Sequence, residues 1–448
     1  MKVFNYTDPK QALYKISDNK YKIVIPGGNY HVLNKNETVV HLFCRSMESA
    51  EDIKNYIESN YPNSQIDIEE ISEILTKLIR EGIIKYSQSR DALHSHYSFN
   101  SRKVYKYLDL KVDREKIISL GQLELSMTNL CPFNCTYCSK KENKSTGTLS
   151  FEKKQQIVTE AFEIGANTLS LTGGEPLHPQ VFNETLELVK YAHKLGYERI
   201  LLLTSGVGIM ENFDALCSSG LNEVFISYNM NQKFAEDKVR NQFVEEHIGA
   251  ISKLRDHGIK VGVCSVLNQE NLEYIEKIVM FGLKNKLNSI HFYPVMPVGG
   301  AKGSWEQIKM SVSEVKKAVE TIRNLKSKYV DVIDISMDQQ FLCEDDVSVG
   351  CEAGNFMVYV NEAGLVSACA CSESSQYSLN DYSLEWIWQE SEYFNQYRNN
   401  NQYSACNECT EKKFCINHCI IRQKYANKDH ICYEYSDCLL KNNLFSLY

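Results

Sequence analysis

Short apolar runs open the chain. Residues 21–25 and 30–33 alternate in the manner of strands around the turn Pro26-Gly27-Gly28. A helical stripe follows, with Ile68, Ile71, Leu75, Leu78 and Ile79 recurring at helical spacing. Asp67 stands at its N-cap and Glu70 three residues on, the spacing of a capping box, and Gly82 falls where a helix would end. Strand, strand, helices is a winged helix-turn-helix outline for residues 1–90. Residues 91–119 are polar, with scattered Lys and Tyr, and predict a linker.

From residue 120 to 334 the pattern changes to alternation of strands and helices. Apolar runs at 123–127, 168–171, 200–204, 223–227, 260–266 and 289–293 predict six strands, and amphipathic stretches such as 152–162 and 184–195 predict the helices between them. Six strand–helix units with short loops predict an α/β fold with a parallel sheet, open or partly closed into a barrel. Ligands of such sheets lie at the C-terminal strand ends. Residues 335–448 lack long periodic elements yet hold ten cysteines, so metal is expected to do there what a hydrophobic core does elsewhere.

Composition narrows the reading. At 448 residues and 43% hydrophobic, the chain can bury two or three cores. Its net charge of −8 gives no general attraction to nucleic acid or anionic lipid. With no signal peptide and no run of eighteen apolar residues, a soluble cytoplasmic protein without membrane partners is expected. In that compartment thiols stay reduced, so sixteen cysteines point to metal rather than disulfides. Eleven fall at short regular spacings. Cys44, Cys217, Cys264, Cys371 and Cys438 read first as small buried apolar residues.

Cys131, Cys135 and Cys138 follow the first of the six strands directly. Three thiolates can hold three irons of a [4Fe–4S] cube and leave the fourth open, whereas a closed zinc site needs a fourth ligand that does not follow nearby. This C-x3-C-x-aromatic-C run, with Tyr137 as the aromatic, resembles the signature of the radical S-adenosylmethionine (SAM) superfamily. The resemblance implies a partial (β/α)6 barrel. SAM would chelate the open iron, and a 5′-deoxyadenosyl radical would abstract hydrogen from substrate. Gly173-Gly174-Glu175-Pro176 matches the family's GGE motif, implying that Glu175 takes the SAM amino group while the glycines let backbone approach it. By the same resemblance Ser227 and Arg240 contact the ribose and the SAM carboxylate. Tyr137, Asn268 and Val295 complete the expected cofactor pocket.

The C-terminal cysteines, Cys351, Cys369, Cys406, Cys409, Cys415, Cys419 and Cys432 with Gly364 between the first two, resemble the SPASM domain of peptide-modifying radical SAM enzymes. That resemblance implies two auxiliary [4Fe–4S] clusters, three in all. Cys351, Cys369 and Cys419 would ligate the first, with Cys343 as fourth ligand or Cys371 or Cys438 in its place. Cys406, Cys409, Cys415 and Cys432 would ligate the second. Anaerobic sulfatase maturases, which share the domain, carry an Asp after the residue matching Cys369. Here Ala370 stands in that place, which argues against that activity.

A winged helix usually means DNA. Residues 1–86, however, hold eleven Lys or Arg against twelve Asp or Glu, so the basic face that DNA needs is missing. The order of strands and helices instead resembles the PqqD-like recognition element of ribosomal-peptide maturases. There a leader peptide adds as a strand beside the third strand and packs on the third helix, here residues 29–33 and 67–81. The whole reads as an enzyme, a maturase of a ribosomally made precursor peptide, fed electrons by a flavodoxin or ferredoxin. A thioether from a Cys thiol to carbon is the first expectation for the bond made, and a carbon–carbon cross-link the second. The rival of a different class is a non-catalytic iron–sulfur or zinc regulator of DNA.

Overall fold

The computed structural model describes residues 4–7, 11–24, 30–44, 49–61, 65–87, 101–141, 147–230, 235–337, 349–350, 353–398, 415–417 and 421. In the N-terminal unit, β1 (Phe4–Thr7) is followed by β2 (Ala12–Ser17), β3 (Lys20–Val24) and β4 (Tyr30–Leu33), then by α1 (Lys35–Phe43), α2 (Ala50–Asn60), α3 (Ile68–Arg80) and β5 (Ile84–Ser87). β2, β3 and β4 form an antiparallel meander and β5 returns to pair with β1. In β3 the alternation buries Tyr21 and Ile23 and turns the residues between outward. Asn34 and Ser49 cap α1 and α2 with complete capping boxes, closed by Glu37 and Asp52.

The box expected on α3 is only half made. Asp67 accepts from the Glu70 amide, but the Glu70 carboxylate takes Asn36 Nδ2 at 2.8 Å instead of turning back to the cap. The stripe also shifts: Ile71, Ile74, Leu75 and Leu78 are buried, while Ile68 and Ile79 lie at its margins.

Residues expected as a linker carry structure. α4 (Ser101–Val104) packs against α1, and β6 (Lys116–Ile117) pairs with β2 as the fourth strand of the N-terminal sheet. A polar strand at a sheet edge lacks the apolar alternation by which strands are recognised, so the sequence hides it.

Next come β7 (Gln122–Ser126), α5 (Phe151–Glu163), β8 (Thr168–Thr172), α6 (Phe182–Leu195), β9 (Arg199–Thr204), α7 (Phe213–Cys217) and β10 (Glu223–Ser227). α8 (Ala235–Ile251), β11 (Lys260–Leu267), α9 (Ile275–Lys284), β12 (Ser289–Pro294), α10 (Ala301–Ile308), α11 (Val312–Lys328) and β13 (Asp334–Met337) complete the run. β7 to β13 pair in chain order, all parallel. β8 is buried at every position, as expected where helices cover a parallel sheet. The six expected strands are present and β13 is a seventh, so the boundary placed between residues 334 and 335 cuts through a strand.

Beyond it lie β14 (Val349–Gly350), β15 (Met357–Val360), β16 (Val366–Ser367), α12 (Leu384–Glu390), α13 (Glu392–Arg398) and β17 (Cys415–Asn417), which pairs with β14. β15 runs parallel to β7 on its free edge and β16 adds outside it, giving an open nine-stranded sheet. The described part of this segment therefore has packing of its own. Trp388 is fully buried against Phe394, and the Arg398 guanidinium lies 4.4 Å from its ring centre. No helix among the described residues is long and apolar enough to cross a membrane.

Candidate active site

β7 ends at Ser126, and the chain leaves the sheet as the loop bearing Cys131, Cys135 and Cys138, all free thiols at the C-terminal mouth of the strands. Two neighbouring segments fix this loop. From the end of β8, Gly174 donates its amide to Thr128 O at 2.6 Å and Glu175 to Leu130 O at 2.7 Å. From the segment after β12, Gly300 donates to Cys138 O at 2.9 Å. Both approaches require glycine. A Cβ on Gly174 would fall 2.0 Å from Leu130 O, and one on Gly299 2.3 Å from Cys138 O. The glycines of the GGE run thus make room for the backbone of the cysteine loop. Gly299 and Gly300 carry no motif in the sequence; a Gly-Gly pair five residues past a strand was the available signal.

Glu175 is held from two neighbouring strand ends. Its carboxylate accepts from the Leu177 amide (3.0 Å) and the Thr204 hydroxyl (2.6 Å) on one oxygen, and from the Ser205 amide (2.7 Å) and hydroxyl (2.6 Å) on the other. These four bonds fill the acceptor capacity of a carboxylate. Glu175 thus ties the ends of β8 and β9 together. Burial still pushes its pKa above the ordinary carboxylate value, against those bonds.

Arg240, on α8, is also engaged within the chain. Nη1 donates to Cys135 Sγ at 3.1 Å and Nη2 to the Tyr137 hydroxyl at 2.8 Å, and Asp237 Oδ1 pairs with Nη2. Tyr137 donates to Asp237 Oδ1 at 2.6 Å, and Asn229 Nδ2 donates to both. Asp237 and Asn229 had no signal in the sequence beyond being polar residues near strand and helix ends. Val295 and Tyr137 share a small apolar cluster with Ala301 and Ile308. Ser227 Oγ lies 3.9 Å from Cys264 Sγ at the end of β10. Asn268 closes β11 with an Asx turn, its side-chain oxygen accepting from the Glu270 amide at 2.9 Å.

The three thiols suit an iron–sulfur cube. They are soft donors spread along one loop, and among the described residues no three His, Cys, Asp or Glu side chains close round a single ion. Arg240 Nε is buried without an acceptor, on the same guanidinium whose Nη1 reaches the Cys135 sulfur. Burial raises the Cys135 thiol, and Arg240 works the other way, towards the thiolate a cluster needs.

Of the expected auxiliary ligands, Cys369 is described, and it packs with Cys371 against Val298 and Ile421. Val298 also begins the turn that holds Cys138. Cys343, Cys351, Cys406, Cys409, Cys419, Cys432 and Cys438 lie outside the described residues, and of Cys415 only the backbone strand is described. A small cavity of about 20 Å³ lies between Thr128, Asn129 and Gly174 on one side and Ala370, Ser372 and Ser374, after Cys369, on the other; Tyr359 and Glu362 also line it. Lys140 enters it with Nζ 3.5 Å from the centre of the Tyr359 ring, and buried Glu124 lies below.

Comparison with known proteins agrees with this geometry. Residues 125–282 match the Radical SAM superfamily. The chain is 26% identical over 305 residues to a PqqA peptide cyclase of Rhizobium meliloti (strain 1021), covering 65% of this chain and 80% of that one. It is 22% identical over 334 residues to an AdoMet-dependent heme synthase of Nitratidesulfovibrio vulgaris, covering 69% and 89%. Among solved structures, Streptococcus suis SuiB bound to precursor peptide SuiA shares the fold at TM-score 0.62 and 13% identity, over 96% of this chain and 99% of that one. Native anSMEcpe with bound AdoMet and the Cp18Cys peptide does so at TM-score 0.54 and 14% identity, over 73% and 96%. Residues 125–282 are thus similar to the Radical SAM superfamily, within an α/β fold shared with SuiB and anSMEcpe.

Proposed function

We propose that this chain is a radical SAM maturase that cross-links a ribosomally made precursor peptide. The observation that carries this reading is the loop of Cys131, Cys135 and Cys138, fixed at the strand ends by backbone bonds from Gly174, Glu175 and Gly300. SAM would lie over the Gly173–Gly174 turn, with Ser227, Asn268 and Val295 at successive strand ends. A [4Fe–4S] cluster on the three thiols would supply the electron that cleaves SAM. The Cys369 region, across the cavity, is suited to hold a cluster that takes an electron back from the substrate when a new bond closes. A thioether is the first choice of bond and a carbon–carbon link the second.

The N-terminal unit is read as the docking site for the leader peptide. β4 is the free edge of its sheet, and Tyr30 and Val32 expose 62% and 49% of their surface there. His31 on β4 lies 3.9 Å from Glu81 at the end of α3, so strand edge and helix border one groove. Such an edge accepts a further strand. The PqqA peptide cyclases among the relatives, and the peptide-bound form of SuiB, support a peptide as substrate.

Two measurements test the proposal. The chain should bind about twelve irons, and the Cys131, Cys135, Cys138 triple Ala variant should lose about four of them together with SAM cleavage. Val32→Pro should weaken leader-peptide binding in the full chain by removing an edge N–H. A triple variant that still yields 5′-deoxyadenosine, or a chain that prefers duplex DNA to every candidate peptide, would overturn the assignment.

A further inference from the structure

The hydrogen bond from Arg240 to Cys135 has a consequence for electron transfer. Arg240 is 4% exposed, its guanidinium pinned by Asp237 and Tyr137 and donating to one of the three sulfurs. Phe133 covers it from the loop side, its ring centre 5.7 Å from Cζ. Asp237 is 1% exposed and belongs to the same buried group. In a site so poorly hydrated, charges beside a cluster are weakly screened. Reduction of a [4Fe–4S] cluster adds one negative charge, so a nearby cation or an N–H donated to a ligand sulfur favours the reduced form, and a nearby anion opposes it.

We propose that Arg240 is a positioning residue that raises the reduction potential of the cluster held by Cys131, Cys135 and Cys138, and that Asp237 holds it in place and moderates the effect. This inference rests on those three thiols holding the cluster. It differs from an assignment of Arg240 to the SAM carboxylate alone, because it acts before SAM binds. The two charges should move the potential in opposite directions. Arg240→Gln removes the cation and its fork of donors, so the potential falls. Asp237→Asn keeps an oxygen that can still accept from Arg240 and Tyr137 but removes the anion, so the potential rises.

The test is a dithionite titration of the full, anaerobically reconstituted chain without SAM, followed by electron paramagnetic resonance. SAM added at the end identifies the relevant signal as the one it perturbs. Arg240→Gln should shift that midpoint down and Asp237→Asn up, with Arg240→Lys between Arg240→Gln and the wild type. Iron counting on the same samples separates failure of the ligand assignment, in which no SAM-sensitive cluster appears even in the wild type, from failure of this inference. If Arg240→Gln cannot hold a cluster, Asp237→Asn and Arg240→Lys decide. Unchanged midpoints with weakened SAM binding, or shifts of one sign for both charges, would overturn it.

Discussion

Glu175→Gln tests whether this residue holds two strands together or waits for a ligand. Each carboxylate oxygen accepts one backbone amide and one hydroxyl: Leu177 and Thr204 on one, Ser205 twice on the other. Whichever oxygen becomes the amide nitrogen, a hydroxyl can rotate to accept from it, but the backbone N–H of Leu177 or Ser205 cannot. One buried donor then faces another, at about 1–3 kcal/mol, and the two surviving bonds lose charge assistance worth about 1 kcal/mol each. Glutamine also sheds the desolvation that raises the pKa of Glu175, which offsets part of the loss. A net destabilisation of about 2–4 kcal/mol remains, equivalent to a fall of roughly 5–15 °C in Tm for a unit of this size. The assay is thermal unfolding of the anaerobic chain without SAM, paired with SAM binding at a temperature where both proteins are folded. An unchanged Tm together with lost SAM affinity would refute the reasoning, since the carboxylate would then be serving the ligand and not the strands.

Three other outcomes follow from local geometry. Gly174→Ala places a methyl 2.0 Å from Leu130 O, so the two loops must part, at about 1–3 kcal/mol or more, and bound iron should fall by about four per chain in iron assays. Gly249→Ala on α8 meets nothing within 4 Å and should stabilise by about 0.5–1 kcal/mol in denaturant titrations, showing that glycine replacement is harmful only where loops meet. Asp109 is held below the ordinary carboxylate range by its hydrogen bond from Lys35, with Tyr61 also donating to it. Its folded pKa is depressed, so its stabilisation is complete above about pH 4 and disappears as pH falls through the folded value. Asp109→Asn should therefore flatten the acid side of the stability–pH curve of the N-terminal unit, read by hydrogen exchange in α1 and α2.

Periodicity along the chain fixed which segments become the central strands. Apolar runs such as 168–171 and 260–266 can be satisfied only inside a covered parallel sheet, and the chain order of the six strands is their order in space. Cysteine spacing fixed the candidate site for a related reason. Cys131, Cys135 and Cys138 lie on one short loop, so their proximity needs no long-range contact. What Glu175 and Arg240 touch could not be read the same way. Their partners Thr204, Ser205, Cys135 and Tyr137 lie 29 to 105 residues away and arrive only when strands and helices pack. The same holds for β15, which completes the edge of β7 from 235 residues downstream, Met357 pairing with Gln122 and Val360 with Leu125. It holds too for β6 and β13, short strands whose membership in a sheet is decided by a free edge. Local pattern determines what a segment can become; the neighbour that satisfies its backbone and its buried charges is chosen by the tertiary structure, because only there do residues distant in sequence share one desolvated space.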